Sequence, residues 1–184
     1  MTLTDLLIPT YRNMLRALRG LLDKAEAQVG PDSAESLLSA RLAPDMFPLA
    51  TQVRFACVQA REGPLRLLGQ SLEPLDELLD EGRNAGERPG TLPDARGRID
   101  EALAFLGGLP ADALDQLPAD DRLTLTLPMG LTFDLTREQF ARDWALAQFY
   151  FHVMAAYAIL RKEGVEIGKA DYVPHMFAFL RPRQ

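Results

Sequence analysis

The chain has 184 residues, 47% hydrophobic and 25% charged, with a formal net charge of −6 and a single cysteine. This balance predicts one globular domain over 1–184, with enough apolar residues for a sizeable core. It argues against nucleic acid or an anionic membrane as the main partner, and one cysteine excludes an internal disulfide or a multi-cysteine zinc site.

The arginines, 17 against 3 lysines, are scattered and form no basic stripe. No basic region followed by an apolar run opens the chain, and the longest apolar segment, 145–160, is short for a membrane span. The expectation is a cytoplasmic protein with no membrane partner.

From Thr4 to Gln28, Leu7, Tyr11, Met14, Leu15, Leu18, Leu22 and Ala25 keep helical spacing, with Pro9 expected near the helix start. Gly30-Pro31 ends this helix, and Asp32 or Ser33 caps a short turn reaching Leu38. Pro44 to Leu68 reads as a second long helix, turning Met46, Leu49, Val53, Ala56, Cys57 and Ala60 inward and kinked or broken near Gly63 by Pro64. Residues 69–92 mix Gly, Pro and charge and predict a loop with one helical turn around Leu75 to Leu79. Pro93 opens a third helix that Gly107-Gly108 stops.

The period then changes. Leu123, Leu125 and Leu127 alternate with threonines, Pro128-Met129-Gly130 turns, and Leu131, Phe133 and Leu135 alternate again, which predicts a two-stranded hairpin. Thr136 and Gln139 have the spacing of a capping box at the head of a fourth long helix ending at Gly164. The tail, 173–184, is expected to pack on the body or on a partner subunit. The fold class is therefore mainly α: a four-helix bundle with one short β-hairpin before the last long helix.

The fourth helix carries the candidate site. In ALAQFYFHVMAAYAIL only Gln148 and His152 are plainly polar, and four residues apart they share one helical face. Such a stripe on a buried helix must find partners or line a cavity. His152 is a candidate acid or base, with Asp45 as its orienting carboxylate. Arg41 is a candidate clamp for a ligand carboxylate or phosphate, and Tyr157 a candidate pocket hydroxyl. Each has a structural alternative: His152 as a packing residue, Asp45 as a helix cap at the start of the second helix, Arg41 as its ion-pair partner, Tyr157 and Cys57 as core. Gly-rich phosphate loops, nucleophile elbows and CxxC pairs are absent, so no motif fixes a reaction.

RLAPDMFPLATQVRFAC at 41–57 and FYFHVMAAYAILRKEGVEIGKADY at 149–172 resemble a bacterial family known as domain of unknown function 1993. The resemblance implies a DinB-like bundle, a fold in which many members bind a divalent metal through three histidines. This chain has only His152 and His175, so that triad cannot form within it, and no metal or other cofactor is expected. Three functions compete: a bundle binding a small polar or acidic ligand near Gln148 and His152, a non-enzymatic homodimeric interaction module, and a metalloenzyme with a histidine–carboxylate site.

Overall fold

The first helix, α1 (Leu3–Val29), starts where the Thr2 hydroxyl accepts from the Asp5 amide at 3.0 Å. Residues 1–127 and 129–181 are described by the structure, a computed structural model. Leu7, Tyr11, Leu15, Leu18, Leu22 and Ala25 form the buried face of α1, as their spacing predicts. Because the helix begins at Leu3, Pro9 lies inside it and denies the Asp5 carbonyl its intrahelical donor. The short α2 (Pro31–Leu37) follows with Pro31 in its first turn.

The second long helix, α3 (Leu49–Leu67), begins five residues later than the periodicity suggests. Pro48 precedes it as the N-cap residue, and a proline disfavours helical backbone at the residue before it. Residues 41–47 are therefore an irregular segment, and Asp45 stands in a turn there rather than in a helical first turn. Pro64 does not break α3, which continues to Leu67. Beyond it, 69–92 is not mainly loop: a 3₁₀ turn at Glu73–Leu75 leads into α4 (Asp76–Asn84), which buries Leu78 against α3.

Helix α5 (Leu92–Gly108) is capped by Thr91 and Asp94, which exchange reciprocal hydrogen bonds of 3.2 and 2.9 Å. Strands β1 (Arg122–Thr126) and β2 (Thr132–Thr136) pair antiparallel, with Leu123 opposite Leu135 and Leu125 opposite Phe133. Leu125 is the buried member of that face. Pro128, expected in the turn, lies outside the described residues.

The capping box is present: Thr136 accepts from the Gln139 amide at 3.1 Å while Gln139 Oε1 accepts from the Thr136 amide at 2.9 Å. It opens α6 (Arg137–Gln139), which runs through a π-helical stretch, Phe140–Ala145, into α7 (Leu146–Lys162). Nothing in the apolar spacing announces the π-helical stretch. Thr136→Ala removes the cap, with an expected cost of about 1 kcal/mol and a fall in Tm of roughly 2–4 °C by thermal unfolding.

Helices α1, α3, α5 and α7 pack as a cycle, α1 on α5, α5 on α3, α3 on α7 and α7 on α1. The tail folds back on the body: α8 (Lys169–Tyr172) and a 3₁₀ turn, Pro174–Phe179, lie along α1. Lys24 pairs with Asp171 at 3.0 Å, and the Tyr172 ring meets Tyr157 at 5.6 Å between centroids. Residues 182–184 of the tail lie outside the described residues. Among the described residues, no helix is long and apolar enough to cross a membrane.

Candidate functional site

His152 lies on α7 where that helix packs against α3, and only 8% of its surface is exposed. Its Nδ1 stands 2.9 Å from Gln52 Oε1 on α3. The Gln52 amide nitrogen donates to the Phe47 carbonyl at 3.2 Å, which turns the amide oxygen toward the imidazole. That oxygen only accepts, so Nδ1 carries the proton and Nε2 keeps its lone pair. Nε2 has no side-chain or backbone partner among the described residues, yet it is not among the sealed unpaired atoms. Burial pushes the imidazole down from its ordinary 6.5 to about 4, so the ring is neutral at neutral pH.

Aromatic rings surround this pair. Phe55 and Phe151 meet the imidazole edge-to-face at 5.4 and 5.3 Å, and Phe47 meets Phe55 at 5.6 Å. Phe55 itself is backed by Gly82 on α4, where any Cβ would collide with its ring. A base with a pKa near 4 is weak at neutral pH, and the group orienting it is an amide rather than a carboxylate.

The other sequence-derived residues do not converge on this point. Gln148 is half-buried one turn before His152 and makes no side-chain hydrogen bond among the described residues. Asp45 is exposed in its turn and pairs with neither Arg41 nor His152. Arg41 donates to the Met46 carbonyl at 2.5 Å and rests on Gly86, where a Cβ would come within 2.8 Å of its guanidinium. Tyr157 stacks toward the tail. Cys57 is sealed in the core, its thiol pushed up to about 12 by burial.

The residue missed in the sequence is Gln52. Its signal is legible in retrospect, because Leu49, Gln52 and Ala56 share the buried stripe of α3. Arg54, 3% exposed, lies on a different buried row of α3, between Ala50 and Val58.

A divalent metal does not fit these donors. One imidazole already committed through Nδ1, together with amide side chains, is a poor set for zinc or iron. Among the described residues, no group of three or more His, Cys, Asp or Glu side chains is placed to hold a metal ion. Gln148 and His152 line none of the five best-formed clefts among the described residues.

No curated protein matches the chain. Its fold matches the crystal structure of a DinB family member from Shewanella denitrificans, with a TM-score of 0.75 and 33% identity, over 99% of this chain and 94% of that one. The model of the domain of unknown function DUF1993 matches residues 3–173. With its described helices, hairpin and DinB-like neighbour, the chain belongs to the DUF1993 family and has a DinB-like fold.

Proposed function

We propose that the chain is a self-associating module of the cytoplasm, a homodimer formed through the outward face of α7. The observation that carries this reading is an apolar stripe that the fold leaves uncovered. Ala147, Tyr150, Phe151 and Met154 all face outward, with Phe151 57% and Met154 49% exposed. The rings of Phe47 and Phe55 extend the surface on the α3 side, and exposed Met176 and Phe177 lie on the tail. Large uncovered apolar patches on a water-facing surface favour association.

A second copy is the occupant that the charge spacing permits, with Asp143 exchanging its neighbour Arg142 for a partner across the interface. Asp143 and Arg161 each stand nine positions from residue 152, on opposite sides of it. An antiparallel crossing of two α7 helices near residue 152 sets Arg161 of each copy opposite Asp143 of the other, the self-complementary arrangement of a two-fold interface. Met154→Glu places a charge at the centre of that contact. The expected result in sedimentation equilibrium is a dimer dissociation constant raised roughly 30-fold, about 2 kcal/mol, with the helical content unchanged. An unchanged dissociation constant removes this interface.

A second reading rests on the free Nε2 of His152. A small polar molecule bearing a donor would hydrogen-bond to it, bounded by Phe55 and Phe151, with Gln148 one helical turn away. Acetamide is a suitable probe. A saturable shift of the His152 imidazole nitrogen resonance supports this reading, and no shift up to about 100 mM removes it.

A further inference from the structure

Between the hairpin, α3 and α4 lies a cleft of about 460 Å³, a volume typical of small-molecule sites. Its apolar wall is assembled from segments far apart in sequence. Leu75 and Leu79 come from the 3₁₀ turn and α4, Leu125 and Leu127 from the hairpin, and Trp144 from the π-helical stretch. Leu75 and Leu125 are buried, whereas Leu79, Leu127 and Trp144 are only partly covered by the fold. The Trp144 ring rests against Phe133 of β2 at 6.2 Å between centroids. Short π-helical stretches recur at functional sites, and this one carries the chain's single tryptophan.

The polar edge of this cleft is electrically closed. Arg66 Nε donates to Glu62 Oε1 at 2.7 Å, and Gln59 donates to the other carboxylate oxygen at 3.3 Å. Arg83, at the exposed rim, has Asp80 at 3.6 Å. Each charged side chain described on the lining therefore has an opposite charge beside it. An ionic ligand gives up hydration against leucine and tryptophan with no spare counter-charge to meet it. An uncharged ring loses little hydration, covers the apolar wall and gains an aromatic contact.

We propose that this cleft binds an uncharged aromatic molecule, seated between the hairpin and α4 with its ring against Trp144. The site uses no residue of α7 and stands independently of the self-association reading.

The test is fluorine NMR of the full chain labelled with fluorotryptophan, which places one reporter in the cleft because Trp144 has no second copy in the sequence. The probes are indole, indoleacetate and tryptamine, one uncharged, one anionic and one cationic. The expected result is a saturable shift with indole at a dissociation constant below about 1 mM, at least about fivefold tighter than with either ion. Leu72→Gln and Leu127→Gln, half-buried on different walls of the cleft, are each expected to weaken indole binding about fivefold with cooperative thermal unfolding retained. Titration of the unmodified chain decides the point even if a variant fails to fold. No saturable shift up to about 10 mM, equal binding of either ion, or wild-type binding by both folded variants overturns the proposal. A shift that follows protein concentration alone also overturns it, since a second copy would then cover the cleft.

Discussion

Arg137→Ala is expected to lower the unfolding free energy by about 4 kcal/mol in urea denaturation. Arg137 is only 5% exposed, and its guanidinium donates to the Leu67 carbonyl at 2.5 Å and the Leu114 carbonyl at 2.7 Å. Leu67 closes α3, so its carbonyl is one of the helix's four orphan acceptors and sits at the negative end of the dipole. Leu114 lies in a short turn that is itself tied to the start of α1: its amide donates to Thr4 at 3.0 Å, and Asp115 accepts from the Leu3 amide at 2.8 Å. One side chain therefore joins the end of α3, the start of α1 and the entry to α7.

Removing it strands two buried carbonyls at roughly 1–3 kcal/mol each and leaves a void. Relief of the cost of burying a charge offsets part of this loss. Arg137→Lys, which reaches at most one of the two carbonyls well, is expected to recover about half of the loss. Wild-type stability of Arg137→Ala would show that the junction does not depend on this residue.

Acidification is expected to cost the folded state about 3 kcal/mol between pH 6.5 and 4 through His152 alone. The sign follows from the direction of the shift. Burial holds the folded imidazole at about 4, whereas the unfolded ring keeps its ordinary 6.5. Above pH 6.5 both states are neutral and the residue contributes no pH dependence. As pH falls from there, the unfolded chain binds a proton that the folded chain refuses, and stability declines until both are protonated near pH 4. Asp94 and Asp171 are held below the usual carboxylate range by hydrogen bonds to Thr91 and to Gly168 and Lys24, and Glu81 by its bond to Arg98, so their losses fall mostly below this window. His152→Gln should therefore flatten the stability curve between pH 6.5 and 4, whatever its stability at pH 7. Parallel curves for the two proteins would mean that the ring is not held neutral by burial.

The sequence was most informative where local chemistry decides the structure. Helical spacing located the buried face of α1, and Thr136 with Gln139 marked the head of the last long helix because a capping box needs only four consecutive residues. Apolar spacing from Met46 onward extends α3 too far toward the N-terminus because Pro48 starts the helix at Leu49, so the helix-cap alternative for Asp45 does not hold. Helix α4 was hidden among glycines and charges, since its stability comes from Leu75 and Leu78 meeting α3 rather than from its own propensity. In the site, the apolar surround of His152 marks it as a buried polar residue, but nothing in the sequence points to its partner. Gln52 is 100 positions away, and no periodicity encodes a contact between two helices at that separation.

The apolar face of α7 is expected to be covered in solution by a second copy of the chain. Sedimentation equilibrium of the unmodified protein across about 1–100 µM addresses this most directly. The predicted result is a mass rising with concentration from 20.4 kDa toward twice that value. A mass of 20.4 kDa at every concentration would contradict it.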